Sequence, residues 1–273
     1  MTISPDTIQR FRGYVEKLAR QNPRDLPWRR TTDPYRIMVS EVMLQQTQVD
    51  RVIPRYLSFI DRFPDLLTLA DAPLSELLGQ WQGLGYNRRG VMLKGACQLI
   101  RDQHQGVVPS TREELRRLPG IGDYTAGAIL AFAFDRPEPF IETNIRSLFI
   151  HYFFPFSSRV HDREILPLVT ATLDRDSPRR WYNLLMDAGA FLKKQGENPS
   201  RRSTHHQRQS PFDGSNRQLR SQILRIVLAT PGVTLETLRE ITGKGVDPIR
   251  TNLGQMEREG MIVQEAEGGW RVP

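Results

Sequence analysis

Along most of the chain, apolar residues recur about every three to four positions, the spacing that places them on one side of a helix. Pro and Gly interrupt this pattern and separate one helix from the next. No stretch before position 200 shows the sustained alternation of a β-strand. The pattern predicts an all-α fold up to Lys194, with helices at about 6–20, 35–49, 51–62, 73–81, 87–104, 112–117, 123–133, 144–153, 162–173 and 178–194.

The pattern changes after residue 194. Residues 195–212 are rich in Arg, Ser, His and Gln and poor in core-forming residues, which predicts a basic linker or loop. Residues 213–273 predict three helices, at about 216–229, 234–241 and 246–260, and then two short strands. This is the element order of a winged helix, whose third helix commonly enters a groove of DNA. A small dimerisation or spacer domain is the alternative.

Composition and charge narrow the class of protein. The chain has 273 residues and a net charge of +7, with a sequence pI of about 9.8, which is typical of proteins that bind polyanions. No apolar run approaches the roughly 20 residues that span a bilayer, and residues 1–21 lack the apolar stretch of a signal peptide. We therefore expect a cytoplasmic protein. We also expect the protein to be a monomer.

The chain contains a single cysteine, Cys97, within an apolar helical stretch. One thiol excludes a disulfide framework and an iron–sulfur cluster held by four thiolates. We expect Cys97 to be a small core residue, and we expect no cofactor.

The segment 118–127, Leu-Pro-Gly-Ile-Gly-Asp-Tyr-Thr-Ala-Gly, predicts two helices joined by a tight turn. Gly120 and Gly122 permit positive φ and close approach of another backbone. The second helix begins at once, so its free N–H groups can receive a DNA phosphate without sequence preference. An ordinary turn between two helices is the alternative, but the small residues that follow the turn favour a tightly packed hairpin.

Two glutamates have opposite predicted environments. Glu41 has apolar neighbours on its helix, and burial would raise its pKa so that it holds a proton at neutral pH and can act as a general acid. Glu142 precedes a helix for which Thr143 is a plausible N-cap, a position that stabilises an anion. Taken singly, each has a structural explanation: Glu41 as a surface charge or buried hydrogen-bonding group, Glu142 as a helix cap.

As a pair, these carboxylates supply the two roles that breaking the bond between a base and its sugar requires. The leaving base must gain a proton, and the oxocarbenium-like sugar needs a nearby negative charge.

Together, these motifs resemble the helix-hairpin-helix base-excision DNA glycosylases, in particular the adenine DNA glycosylase (MutY)-like branch. The resemblance covers residues 26 to about 194. The fold that it implies has a six-helix part at about 28–136 and a second helical part formed by 1–27 and 137–194. The resemblance rests on the motifs at 26–28, 40–49, 81–86, 118–129 and 186–190.

The resemblance implies a role for each matching position. Glu41 matches the general acid, and Glu142, Tyr124 and Asn144 match the active-site residues that support the sugar cation. Asp187 and Trp28 match the base pocket. The positions that match DNA-binding residues are Gln45, Gln46, Thr47, Tyr86, Leu118, Gly120, Gly122 and Thr125. The expected partner is double-stranded DNA that carries a mismatched or damaged base, which must be flipped out of the stack.

The chain departs from the family at three points. The catalytic Asp of the family is replaced by Glu142, and the cluster cysteines are replaced after Gly189 by Phe-Leu-Lys-Lys-Gln. A winged helix is predicted in place of the domain that recognises 8-oxoguanine. These departures bear on the substrate more than on the reaction.

Three functions remain open at this stage. The first is a monofunctional glycosylase for adenine or another purine. A lyase is disfavoured because Tyr124 occupies the position of the Schiff-base lysine of the endonuclease III branch. The second is a thymine or uracil mismatch glycosylase. The third is a non-catalytic DNA-binding protein on the same scaffold.

Overall fold

The computed structural model describes residues 3–196, 198–206 and 211–273. Its contacts divide the chain into two units: the first unit comprises residues 1–41, 110–117 and 121–208, and the second unit comprises residues 42–109, 118–120 and 209–273. These divisions differ from the predicted domain boundaries at 136 and 212, which stay predictions.

The described chain is mostly helical, as predicted, and the only strands in the described ranges lie near its C-terminus. In chain order the elements are α1 (Pro5–Arg20), α2 (Pro34–Leu44), α3 (Val49–Arg62), α4 (Leu66–Asp71), α5 (Leu74–Gln80), α6 (Arg88–Gln103), α7 (Arg112–Arg117), α8 (Asp123–Phe134), α9 (Thr143–Phe153), α10 (Asp162–Thr172), α11 (Pro178–Lys194), α12 (Asn216–Ala229), α13 (Leu235–Thr242), α14 (Val246–Arg258), β1 (Val263–Gln264) and β2 (Trp270–Arg271).

The predicted helix at 35–49 is wrong at its C-terminal end, because α2 ends at Leu44. Gln46 has a φ of 55°, which an α-helix cannot contain. The sequence analysis also missed the short helix α4. The other predicted helices agree with the structure to within one or two residues at each end.

In the first unit, α1, α9 and α11 pack around aromatic side chains. The ring of Phe11 contacts those of Phe149 and Trp181, at centroid distances of 4.8 and 6.2 Å. Helices α9 and α11 come into very close contact at Gly189, where an added Cβ would lie 2.2 Å from the backbone oxygen of Asn144. The absence of a side chain at 189 therefore sets the spacing of these two helices.

In the second unit, helices α12 to α14 are followed by the antiparallel pair β1–β2, with Val263 opposite Arg271. Buried side chains from all three helices form their common core: Ile223, Leu238 and Leu253. This is the predicted order of elements, and its identification as a winged helix stays a prediction.

Part of the predicted linker 195–212 is packed. Pro199–Arg202 forms a 3-10 helix, Ser200 and Ser203 are buried, and Ser203 forms a parallel bridge with Val160. Residues 199–204 therefore form a loop that packs within the first unit, whereas residues 207–210 lie outside the described residues, and the linker or loop at 195–212 stays a prediction. Hydrogen bonds of polar side chains, such as that from the guanidinium of Arg202 to the carbonyl oxygen of Phe154, hold this loop and leave no apolar pattern in the sequence.

Cys97 lies on α6 and is buried, as predicted. Burial raises the pKa of its thiol to about 12. No helix among the described residues is both long and apolar enough to cross a membrane.

Candidate active site

Glu41 lies on α2 with only 3% of its surface exposed. Its Oε2 accepts a hydrogen bond of 2.9 Å from the hydroxyl of Tyr124, in the first turn of α8. The pKa of Glu41 is raised to about 7, chiefly by burial; the bond from Tyr124 lowers this pKa, and the charge of Glu142 raises it by a smaller amount. A large fraction of Glu41 therefore carries a proton at neutral pH, as its apolar helical neighbours predicted.

Glu142, and not Thr143, is the N-cap of α9. Its Oε1 accepts a hydrogen bond of 2.7 Å from the backbone N–H of Asn144. The predicted cap at Thr143 is wrong because the helix begins at that residue. The charge of Glu142 acts on both Glu41 and Tyr124, so the two carboxylates are electrostatically coupled.

Burial raises the pKa of the Tyr124 phenol well above its usual range, and the charges of Glu41 and Glu142 raise it further. The phenol therefore remains protonated and donates its hydrogen bond to Glu41. The structure brings together the four residues that the sequence identified as catalytic: Glu41, Glu142, Tyr124 and Asn144.

Lys193 also contacts this site, which the sequence did not predict. Its Nζ donates a hydrogen bond of 2.8 Å to Oδ1 of Asn144. Burial lowers the pKa of Lys193, and the negative charge of Glu142 opposes this effect. A lysine at the end of an amphipathic helix gives no sequence signal for such a contact, because the contact depends on the spacing of α9 and α11.

Asp187 is buried, and both of its carboxylate oxygens are occupied. They accept hydrogen bonds from Arg24 at 2.6 Å and from Arg29 at 2.8 and 2.9 Å. In this structure Asp187 therefore fixes the segment that precedes α2. Trp28, in the 3-10 helix Pro27–Arg30, is buried in the core. The predicted contact of these two residues with the base stays a prediction.

The predicted hairpin lies between α7 and α8. Gly120 has a φ of 77°, whereas Gly122 has a φ of −84° and is the N-cap of α8, so the expectation of positive φ was correct for Gly120 only. The side chains of Leu118 and Thr125 are buried and do not face outward. Any phosphate contact at these two positions would use their main-chain atoms, which the free N–H groups at a helix N-terminus allow.

The loops 45–47 and 84–86 belong to the second unit and are joined by the buried guanidinium of Arg89. It donates to the carbonyl oxygens of Val42 and Met43, both at 2.8 Å, and to Oγ1 of Thr47 at 2.9 Å. It also donates to the carbonyl oxygen of Gly85 at 3.0 Å. Burial lowers the pKa of Arg89 to about 10. The sequence analysis missed Arg89, because a single arginine on a helix carries no sign of such a role.

Side chains of these loops reach the surface of the second unit. Gln46 is exposed, and Tyr86 is partly exposed with a φ of 47°. Gln45 donates a weak bond of 3.3 Å to the carbonyl oxygen of Gly120. These side chains and those of Arg217 and Arg220 line an open cavity of about 430 Å³. The guanidinium of Arg217 stacks on the ring of Tyr86 at 5.8 Å.

The chain does not fit an iron–sulfur cluster. Such clusters are normally held by four thiolates, and this chain has one cysteine, which is buried on α6. The segment in which the resemblance places cluster ligands instead supplies the ammonium group of Lys193 to Asn144.

The sequence of this chain is similar to those of several adenine DNA glycosylases. The adenine DNA glycosylase of Buchnera aphidicola subsp. Baizongia pistaciae is 37% identical over 171 residues, which is 61% of this chain and 48% of that relative. The one from Mycolicibacterium smegmatis is 34% identical over 194 residues, 70% of this chain and 64% of that relative. The human one is 40% identical over 147 residues, 50% of this chain and 27% of that relative. The chain spans about half the length of the Buchnera relative.

Two solved structures confirm the fold. A thermostable thymine-DNA glycosylase superposes with a TM-score of 0.61 at 24% identity, covering 68% of this chain and 87% of that one. An endonuclease III–DNA covalent intermediate superposes with a TM-score of 0.58 at 18% identity, and the match covers 77% of this chain and 92% of that one. The family model described as HhH-GPD superfamily base excision DNA repair protein matches residues 39–170. The chain therefore contains, over residues 39–170, a domain of the HhH-GPD superfamily of base excision DNA repair proteins.

Proposed function

We propose that this protein is a DNA glycosylase that hydrolyses the N-glycosidic bond of a mismatched or damaged base, adenine or another purine, in base excision repair. The observation that carries the proposal is the buried carboxyl of Glu41, with a pKa of about 7, bonded to Tyr124 and coupled to Glu142. The similarity to adenine DNA glycosylases supports the choice of base.

The two carboxylates have separate roles in this reaction. Protonated Glu41 donates its proton to N7 of the purine, which turns the base into a better leaving group. The negative charge of Glu142 stabilises the oxocarbenium-like sugar that remains, and water then completes the hydrolysis. Tyr124 holds the Glu41 carboxyl in place through the bond of 2.9 Å. The raised pKa of Glu41 and the N-cap position of Glu142 support this division of labour.

Duplex DNA is the proposed partner of a chain with a net charge of +7. The turn at Gly120 and the N-terminus of α8 would hold a phosphate. The exposed side chains of Gln46 and Tyr86 would enter the gap left by the flipped base. The position of Arg217 beside Tyr86 supports a contribution of the C-terminal helices to this contact.

We further propose that the enzyme is monofunctional and works without an iron–sulfur cluster. The position at which the resemblance expects a nucleophilic lysine is occupied by Tyr124. The half-buried amine of Lys193 donates a hydrogen bond to Asn144. Borohydride reduction during turnover should therefore leave no covalent protein–DNA adduct, and the purified protein should contain no stoichiometric iron. An adduct would show that the enzyme is a lyase, and bound iron would show that the cluster is present.

The test of the function is an excision screen with duplexes that carry adenine, hypoxanthine, oxidised purines, thymine or uracil opposite each normal base. We expect excision of a purine in single turnover. Glu41→Gln should bind the same duplex and lose excision by about 100-fold or more, and the exposed carboxylate variant Glu236→Gln should match the wild type. Excision of thymine or uracil alone would identify the mismatch pyrimidine enzyme, and tight binding without any excision would identify a non-catalytic protein.

A further inference from the structure

Lys193, on α11, is half-buried and contacts a residue of the candidate active site. Its Nζ lies 2.8 Å from Oδ1 of Asn144. Its neighbour on α11, Lys194, is exposed and bonds instead to the side chain of Asn22 at 2.8 Å. Burying an ammonium group costs free energy unless a charge or hydrogen bonds compensate, so the inward position of Lys193 requires a compensating partner.

The charged groups that act on Lys193 are Glu142, Arg24 and Arg146. Arg24 is paired with Asp187 at 2.6 Å, and Arg146 is paired with Asp162 at 2.7 Å on α10. Both arginines therefore already have a carboxylate partner. Among these groups, Glu142 supplies the negative charge that favours the ammonium form of Lys193.

The packing of α11 on α9 places Lys193 next to Asn144. Gly189, one turn earlier on α11, lies against the backbone of Asn144 so closely that a Cβ would overlap its oxygen. The backbone N–H of Asn144 in turn donates to Oε1 of Glu142. One residue of α9 thus bonds to Lys193 through its side chain and to Glu142 through its main chain.

We propose that Lys193 is a positioning residue: its ammonium group orients Asn144 and supplies the positive charge that keeps Glu142 ionised and in place at the N-terminus of α9. Glu142 has one more rotatable bond than the aspartate of the resembling family, and a second fixed charge restricts the positions that its carboxylate can take. The positive charge of Lys193 also offsets the repulsion between Glu142 and ionised Glu41. The effect on catalysis rests on the proposed function, whereas the coupling between Lys193 and Glu142 does not.

The first measurement follows the ionisation of Glu142 in the free protein. Glutamate side chains are labelled with ¹³C at Cδ, the Glu142 signal is assigned with Glu142→Gln, and its titration is followed by NMR. Lys193→Met removes the charge and keeps the aliphatic stem, Lys193→Arg keeps the charge, and Lys194→Met is the matched control. We expect the titration of Glu142 to move to higher pH by about 1 unit in Lys193→Met and to stay at the wild-type position in Lys193→Arg and Lys194→Met.

The second measurement is the pH profile of single-turnover excision on the best duplex from the screen. Lys193→Met should reduce the rate constant by about 10- to 100-fold without weakening DNA binding. The acidic limb of its profile should move to higher pH, and Lys193→Arg should restore the limb. If the wild type excises no base, the proposed function fails while the NMR titration still decides the coupling. An unmoved Glu142 titration in Lys193→Met, or a slower rate with an unmoved acidic limb, would overturn the proposal and leave Lys193 as a packing residue.

Discussion

The carboxylate cluster of the first unit and the loops of the second unit use buried charge in different ways. In the first unit, Glu41 is buried with a phenol and a second carboxylate as neighbours, so its protonation state depends on its surroundings. In the second unit, the buried charge of Arg89 bonds mainly to backbone carbonyl oxygens and remains a cation. The first arrangement controls a proton, and the second fixes the shape of two loops.

This difference determines what a substitution does in each region. A change of charge in the carboxylate cluster should alter the rate and its pH dependence while the fold survives. A change at Arg89 should alter the loops themselves, since Gln46 and Tyr86 have positive φ values that the surrounding bonds must maintain.

The largest effect should come from Gly189→Ala, because the new Cβ would overlap the backbone of Asn144 at 2.2 Å. Helices α9 and α11 would have to separate, and we expect a loss of about 3 kcal/mol in the free energy of unfolding. Urea denaturation measures this loss in the free energy of unfolding. The control is Gly13→Ala on α1, where a Cβ meets nothing within 4 Å and the helix should gain about 0.5–1 kcal/mol. Equal stability of Gly189→Ala and wild type would contradict the close contact of the helices.

Glu142→Gln should reduce single-turnover excision by about 100-fold, the usual order for the loss of a group that stabilises developing charge. Glu142→Asp keeps the charge on a side chain that is one methylene shorter, and we expect the rate constant of excision to fall by about 10-fold. DNA affinity should not fall in either variant. Full activity in both would mean that Glu142 serves only as the N-cap of α9.

Arg89→Met leaves the carbonyl oxygens of Val42 and Met43 without their donor. We expect a loss of about 2 kcal/mol in the free energy of unfolding together with weaker DNA binding, because the loops 45–47 and 84–86 lose their common support. Arg88→Met removes the same charge from an exposed neighbour and should leave the stability unchanged. If the two variants unfold alike, the loops do not depend on Arg89.

Glu41→Gln should stabilise the protein at higher pH. In the folded chain the pKa of Glu41 is raised to about 7 from 4.5, so ionisation destabilises the folded state progressively as pH rises through this interval. Glutamine removes that cost, and we expect a gain of about 1–2 kcal/mol above pH 7 that disappears below pH 4.5. Part of the possible gain is lost because Tyr124 would donate to an amide instead of a carboxylate. Thermal unfolding across this pH range, with Glu236→Gln as control, measures the effect; a gain that is independent of pH would show that Glu41 is not the titrating group.

The regular elements followed from the sequence because a helix repeats its apolar positions. The apolar neighbours of Glu41 on α2 favoured its burial, but they left a surface position open. The contacts of Asn144 with Lys193, and those of Arg89 with the carbonyls of α2, join residues more than 40 positions apart. Such contacts depend on tertiary packing, which no local pattern encodes. The same limit explains the packed segment 199–204, where hydrogen bonds replace an apolar face.

The buried position of Cys97 has a practical consequence for measuring conformational changes of the protein. Its thiol is inaccessible and, with a pKa raised to about 12, remains protonated at the pH of maleimide labelling. A cysteine introduced at an exposed position can therefore be coupled selectively to a fluorophore without first replacing the native one. A dye pair at Gln46 and on the exposed face of α13 would report by energy transfer how loop and C-terminal helices move when a duplex is added.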